Sequence, residues 1–504
     1  MPAPALLTPI LIRYEVRRVR KAYVKFSSLE LTKKRSSDGR QPSSHPSIDD
    51  SSEWSYYVAI DEIYHAKWAA KQLARFNVLR EAVDHFWHGP EGYPVELIQV
   101  AGTSGKGSTS RFLQSGLSAY GKTGCYLKPH VFDYAERFII EDKPAEHQEI
   151  TRIWEKEIKP YCIESAMRGE AWLLDHSEVS LLIALKMFER HSLDWAVVET
   201  GMGGRYDAVT ALDVAATVVT NVGQDHEDVL GEEHWQRALE KAGICRAGVP
   251  LFSADQDERS VAVLSNICKD VGAPFHQISA REVGALGKVL SQSGEGRSPD
   301  SLLGSEYQLW NAALAAEVVK RLVKGADIEE IARKLRAAKY MGRFWKIEED
   351  VFADVAHNPS KTQALSEDLQ LRFPKAKKVF VVGITGPRDP VAVIAPLVKQ
   401  AKAIVVTSAG FKGQDPDKVH ARLRDAFPDV PIHLAPNPAT TLSVAKNLRG
   451  AGETIVFTGS TYMIDQALNR DANLRHLNAS VGWRDVKQKQ IAGTLSFAIP
   501  EKSQ

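Results

Sequence analysis

A lysine between two glycines stands where an apolar run ends. VELIQVAGTSGKGST gathers Gly102, Thr103, Gly105, Lys106, Gly107, Ser108 and Thr109 within eight residues. A buried strand that breaks into a glycine-rich turn and then a helix is what phosphate binding requires. Glycines let the backbone approach, successive N–H groups face the oxygens, and the helix start favours negative charge. Lys106 would neutralise β- and γ-phosphates, and Ser108 or Thr109 would offer a hydroxyl to phosphate or magnesium. The common P-loop pattern asks for glycine five residues before Gly105, where Val100 stands, and for Ser or Thr after the lysine, where Gly107 stands. A tight strand-to-helix turn with a solvent-facing lysine is the alternative reading.

Two further strand ends carry chemistry. DWAVVET ends in Glu199, followed by Gly201, Gly203 and Gly204. A carboxylate at the C-terminal end of a parallel strand beside a phosphate loop is placed to hold magnesium, although a helix cap would read the same. AATVVTNVG ends at Gln224-Asp225-His226. His226 reads as a metal ligand, a phosphate contact or a plain turn residue.

Positioning these side chains takes a parallel sheet. Short apolar runs bounded by Gly, Asn or Asp, each followed by helical sequence, are the pattern of strands buried on both faces. A second series follows Met341: VFADVAHNP, KKVFVVGIT, AKAIVVTSA, PIHLAP and ETIVFTGS. The expected fold is α/β, with a P-loop ATPase-type domain of parallel sheet over 56–338 and a smaller Rossmann-like α/β domain over 339–475. The helical EYQLWNAALAAEVVKRLVKG precedes a link near 338–343. YHAKWAAKQLARFNVLREAVDHFW reads as helix from its apolar spacing.

Residues 1–55 form an extension whose first 35 residues hold nine Lys or Arg against Glu15 and Glu30. It reads as a solvated arm, a transit peptide or an anion-binding segment. TKKRSSDGRQPSSHPSIDDSSEW has little to bury and is expected to be a flexible connector. The tail over 476–504 fits no element. A net charge of +1 gives no reason to expect nucleic acid. Cys125, Cys162, Cys245 and Cys268 form no CxxC pair, which excludes a sequence-evident zinc site and fits a reducing interior. Without a membrane-length apolar run or signal peptide, the expectation is a cytoplasmic protein with no membrane partner.

The segments GTSGKGST, VVETGMGGRYDA, TNVGQDHEDVLGE, EKAGICRAGVP, EYQLWNAALA, MGRFW, DVAHNP and TGSTYMIDQA occur in that order. Together they resemble the folylpolyglutamate synthase branch of the Mur ligase family. The resemblance implies an ATP-dependent, ADP-forming ligase that joins a small-molecule carboxylate to an amine such as an amino acid, with Mg2+, as a monomer. It carries Gly102, Thr103, Gly105, Lys106, Gly107, Ser108 and Thr109 over as phosphate contacts, and Glu199 and His226 as metal ligands, with Ser108 and the modified Lys241. Lys241 matches a lysine carbamylated by carbon dioxide, although its pattern alone reads as a surface lysine on an amphipathic helix. Asn311 falls where the family contacts adenine, Arg343 at the phosphates, Asp354 at the ribose and His357 at the γ-phosphate.

The chain departs from the family in places. Lys128 stands where a TSPH-like segment carries a metal-binding serine, in Tyr126-Leu127-Lys128-Pro129-His130. A cation about 4 Å from a dication would cost roughly 8 kcal/mol at an effective dielectric near 20. Lys128 therefore points away, binds phosphate itself, or marks an altered metal site. Ser104 replaces a usual Asn, Arg388-Asp389 a usual Lys-Asp, and LLDHSEVSLLIALKMF matches an aromatic-rich segment loosely. Three functions are compatible: glutamate addition to a folate-type acid, the same ligation on another acid and amine, and a non-catalytic nucleotide-binding regulator or scaffold.

Overall fold

The computed structural model describes residues 50–64, 76–87, 92–169, 172–224, 230–292 and 301–478. The basic arm, His226 and all of the tail beyond 478 lie outside the described residues. These form two compact units, one from residues up to Tyr93 with Ala145–Met187, the other from Pro94–Pro144 with Phe188–Ala479.

The first unit is helical. Helices cover Asp50–Tyr64, Phe76–Phe86, His147–Ile153 and Lys159–Met167, with a π-helical turn at Trp154–Ile158. Asp50–Trp54, expected to be flexible connector, are helical instead, because the apolar face of Tyr56, Ile60 and Ile63 that follows is buried and recruits the preceding turn. Buried Glu62 accepts hydrogen bonds from Trp154 Nε1 (2.9 Å) and Lys159 Nζ (2.7 Å), so its charge is paired.

The second unit holds both sheets. The first comprises β1 (Glu96–Ala101), β2 (Thr123–Tyr126), β3 (Phe138–Ile140), β4 (Lys143–Pro144), β5 (Trp195–Glu199), β6 (Ala216–Val219), β7 (Leu251–Ser253) and β8 (Phe275–Gln277). Their order is β4-β3-β2-β5-β1-β6-β7-β8, parallel from β2 to β8, with β3 and β4 added antiparallel. Helix α1 (Lys106–Leu117) follows β1, and α2 (His234–Ala242) and α3 (Glu258–Val271) flank β7 in sequence. Helix α4 (Glu306–Leu322) packs on α1, with Leu314, Val318 and Phe112 in one core with Ile98, Val197 and Val218. Sequence patterning found β1, β5 and β6 but missed β2–β4, β7 and β8.

The second sheet comprises β9 (Trp345–Glu348), β10 (Val351–Ala353), β11 (Lys378–Gly383), β12 (Ala401–Thr407), β13 (Ile432–Leu434) and β14 (Thr454–Thr458), ordered β13-β12-β11-β14-β10-β9 with only β9 antiparallel. Phe380, Val382, Ile404 and Val406 enter one core, and Val379, Val381, Val405 and Phe457 the other. Apolar residues on both faces of the pleat explain the continuous apolar runs. Helices α5 (Thr461–Leu468) and α6 (Ala472–Asn478) close the described chain. Asn478 Nδ2 donates to Phe132 O (2.8 Å) and Asp465 Oδ1 (3.0 Å), fastening this end to the loop after β2. Among the described residues no helix is long and apolar enough to cross a membrane.

Candidate nucleotide and ligation site

The order β5-β1-β6 sets the site. Val100 of β1 lies opposite Glu199 of β5 in register, so the carboxylate and the turn after β1 emerge at the same sheet edge. That edge, where the strand order reverses around β1, is where open parallel sheets bind ligands.

The turn itself is braced. Gly102 and Gly105 hold φ of 142° and 79°, which side-chain-bearing residues rarely adopt. Asn221, just beyond β6, accepts from Thr103 N through its backbone O (3.0 Å) and from Ser104 N through Oδ1 (2.9 Å), while Thr220 Oγ1 donates to Ser104 O (2.6 Å). Helix α1 has Gly105 at its N-cap and no side-chain cap, so no side chain competes with an anion for its first amides. Lys106 Nζ folds back on Gly102 O at 3.0 Å, which a phosphate would replace. The missing residue of the common P-loop pattern also has a cause. A Cβ on Gly107 would lie 2.6 Å from Tyr340 Oη and 2.7 Å from its Cζ. Tyr340, from the link between the sheets, rests against the phosphate turn.

Asn311 of α4 packs against the other side, with a Cβ on Gly105 falling 2.6 Å from its Oδ1. It donates to Gln308 Oε1 (3.1 Å), and Gln308 Nε2 donates to Ser108 Oγ (3.2 Å). Thr109 Oγ1 is buried with no hydrogen-bond partner among the described residues.

Glu199 is 3% exposed, and Lys128 N donates to its Oε2 at 2.9 Å. Burial pushes its pKa above the usual carboxylate range; Lys106 opposes most strongly, then the Lys128 amide, Arg343 and the Lys128 ammonium. A desolvated carboxylate that shares its field with the phosphate lysine is a donor suited to a hard divalent cation. Among the described residues no three His, Cys, Asp or Glu side chains converge. Magnesium takes one or two carboxylates and fills its shell with water and phosphate oxygens.

Lys128 turns its ammonium 3.6 Å from Asp207 Oδ1, with both side chains largely buried. It also lies 4.9 Å from the Tyr126 ring centroid, and it is the peptide N–H, not the ammonium, that meets Glu199.

Lys241 lies on α2 and is 2% exposed, so the surface-lysine alternative fails. The Gly203–Arg205 turn covers it: Arg205 N donates to Glu240 O (2.8 Å), and a Cβ on Gly204 would lie 3.1 Å from Lys241 Cα. Lys241 is thereby joined to the segment leaving Glu199.

The second sheet supplies Arg343, Asp354 and His357. Asp354 accepts from Phe344 N (2.9 Å) and Ala356 N (2.8 Å), and burial raises its pKa against Arg343. Arg343 is held charged above all by Asp354, against burial. His357 is in contact with the Val355 O through Nδ1 (2.8 Å) and with Lys361 Nζ through Nε2 (3.1 Å). Because an ammonium only donates, Nε2 must accept and Nδ1 carries the proton. Burial, Lys361 and Arg388 push its pKa down to about 3, so the ring is neutral. Arg388 Nη1 donates to Thr385 O (3.0 Å), while Asp389 pairs with Arg422 (2.7 Å) instead of its neighbour.

Lys106, Glu199, Arg343, Asp354 and His357 thus form one electrostatic chain, Asn311 abuts the turn, Lys241 lies one loop away, and His226 falls outside the described residues. Sequence reading missed Tyr340, Asn221, Gln308, Lys361 and Arg111, whose Nε donates to Lys339 O (2.9 Å) and whose Nη2 pairs with Asp142 (3.2 Å). Only Gly107 carried a signal, since a glycine inside a helix marks a close neighbour. Beside Arg343 lies a cavity of about 300 Å³ lined by Arg111, Glu136, Tyr340, Arg343 and Trp345, among others.

Residues 342–461 match the family "Mur ligase, glutamate ligase domain". The dihydrofolate synthase/folylpolyglutamate synthase of Escherichia coli K12 is 30% identical over 305 residues, covering 59% of this chain and 69% of that protein. A probable bifunctional folylpolyglutamate synthase/dihydropteroate synthase of Halobacterium salinarum is 31% identical over 399 residues, 74% of this chain and 47% of its own, so the chain spans about half of that longer relative. Among solved structures, Mycobacterium tuberculosis folylpolyglutamate synthase complexed with ADP superposes with a TM-score of 0.71 at 25% identity, over 83% of this chain and 99% of that one.

Proposed function

Because the chain belongs to the folylpolyglutamate synthase branch of the Mur ligase family, we propose that it is an ATP-dependent, ADP-forming ligase that adds glutamate to a folate-type acid through an acyl phosphate. The observation that carries this reading is the glycine turn, whose Gly102 and Gly105 hold φ of 142° and 79° at the uncapped start of α1, in register beside buried Glu199.

A substrate carboxylate oxygen attacks the γ-phosphorus, the bond to the bridging oxygen breaks, and ADP leaves. Negative charge on the transferring group is offset by Lys106 from the turn and Arg343 from the link. The first amides of α1 hold the phosphates, with Gly102, Thr103, Gly105, Gly107 and Thr109 as further contacts. Asn311 contacts adenine, Asp354 the ribose, and neutral His357 the γ-phosphate, where Lys361 arrives as an additional cation. The amine then attacks the acyl carbon, phosphate departs, and the amine proton passes to solvent or phosphate. Glu199, His226 and a hydroxyl of Ser108 or Thr109 would hold magnesium, which would supply positive charge against the phosphates. Carbamylation of buried Lys241 by carbon dioxide would replace an ammonium, which cannot ligate a cation, with two anionic oxygens.

One observation favours a second reading, the same ligation on another acid. The Lys128–Asp207 pair sets a buried cation in the glycine turn beside the site. The ammonium faces Asp207 while Glu199 receives an amide, so Lys128 gives no ground for reading the protein as non-catalytic.

The test is ADP release with magnesium-ATP, bicarbonate, glutamate and reduced monoglutamyl folate, with mass analysis of products. A folate heavier by one glutamyl residue is expected. ADP release with other acids and no folate product would replace the folate assignment. Nucleotide binding with no ADP release for any acid would overturn the ligase reading.

A further inference from the structure

The described residues include four cysteines, and two of them meet although they are 23 residues apart in sequence. Cys245 Sγ lies 3.4 Å from Cys268 Sγ, while Cys125 and Cys162 are buried elsewhere. Cys245 sits in the loop leaving α2, with its N–H on Ala242 O (3.0 Å), and Cys268 lies on the buried face of α3. The loop is not free to swing. Next to Cys245, Arg246 donates to Gln99 Oε1 (2.9 Å), Thr210 O (3.1 Å) and Leu212 O (3.0 Å). Ala242, Ile244, Leu264 and Cys268 share one core, against which Cys245 packs. Both sulfurs are therefore held by packed elements, not brought together by a passing rotamer.

We propose that Cys245 and Cys268 form a redox modification site, a dithiol that closes to a disulfide under a small disulfide oxidant such as oxidised glutathione. Cys245 is half-buried and Cys268 is 1% exposed, so the order of events is set by access. The Cys245 thiolate attacks one sulfur of the oxidant, forming a mixed disulfide and releasing one glutathione thiolate. The Cys268 thiolate then attacks Cys245 Sγ, the new S–S bond forms, and the second glutathione leaves. Two thiols lose two electrons, one glutathione disulfide gains them, and the two thiol protons go to the leaving thiolates. The thiol contact lowers the pKa of Cys268 and raises that of Cys245, so entry at Cys245 is set by its exposure and the resolving step by the readiness of the Cys268 thiolate. Closure brings the sulfurs to about 2.05 Å, a local movement. It ties α3 to the loop at Cys245, four residues after Lys241, whose carbonyl accepts from Ile244 N (3.3 Å).

The test uses the full chain with oxidised glutathione, followed by thiol blocking, digestion without reductant and peptide mass mapping. The expected product is a Cys245-to-Cys268 cross-linked peptide that dithiothreitol releases. Cys245→Ser should abolish it, and Cys268→Ser should trap a glutathione adduct on Cys245. Because Cys268 is buried, Cys245→Ser is the decisive variant should Cys268→Ser fail to fold. Recovery of both cysteines as blocked thiols, a stable glutathione adduct on Cys245 of the unmodified chain, or a cross-link using Cys125 or Cys162 would overturn the assignment. The readout is independent of ligase turnover, so its failure is distinguishable from failure of the proposed function.

Discussion

Gly107→Ala isolates the contact between the phosphate turn and the link. Gly107 lies in helical backbone within α1, so alanine alone should stabilise by about 0.5–1 kcal/mol through reduced conformational entropy. The added methyl would meet Tyr340 at 2.6–2.7 Å, against an ordinary carbon contact of about 3.5–4.0 Å, so the ring must retreat by about 1 Å. Overpacking of this kind costs about 1–3 kcal/mol. The net expectation is a loss of up to about 2.5 kcal/mol, read as a melting temperature lower by up to about 5 °C at roughly 1–2 °C per kcal/mol for a unit of this size. In a Tyr340→Ala background the ring is gone and the sign should reverse, with Gly107→Ala raising stability. The double-mutant cycle, by thermal melting with and without ADP, gives a coupling of about 1–3 kcal/mol. Equal effects in both backgrounds would refute the steric account of this glycine.

Lys128→Ser should leave the magnesium dependence of turnover unchanged while lowering stability by about 1–3 kcal/mol, because Asp207 loses a buried partner but keeps the Gly201 and Val209 amides; an altered metal requirement would return the side chain to the metal site. Lys241→Ala should abolish ligation, with partial recovery on adding short carboxylates, and undiminished turnover would remove the carbamate assignment. For His357 the folded-state pKa is pushed from 6.5 down to about 3, so within that window the unfolded chain binds a proton that the folded chain refuses. Stability must fall as pH drops through the window. His357→Gln should flatten the acid side of a melting-temperature profile from pH 7 to 4, and an unchanged slope would contradict the neutral ring.

What sequence could disclose followed from local physics. β1, β5 and β6 were readable because strands covered on both faces are continuous apolar runs, and the glycines of the phosphate turn because positive φ excludes other residues. β2, β3 and β4 were not, since TGCY, FII and KP are too short to show a period. The burial of Lys241 was also hidden. It shares the buried face of its helix with Ala238 and Ala242, and tertiary packing, which includes the Gly203–Arg205 turn, decides that a lysine there is covered. Tyr340 and Arg111 act through contacts across more than two hundred residues, which no spacing rule reaches.

The hydrogen bond from Lys128 N to Glu199 bears on how this site tolerates change. Nineteen of the twenty amino acids would present that same N–H, since only proline lacks it. Orientation of the carboxylate is therefore inherited through the chain trace at position 128 and is indifferent to which side chain hangs there. A substitution at position 128 other than to proline leaves an amide facing the carboxylate. The side chain is thereby released as raw material for a new partnership, and the pairing with Asp207 is one such use.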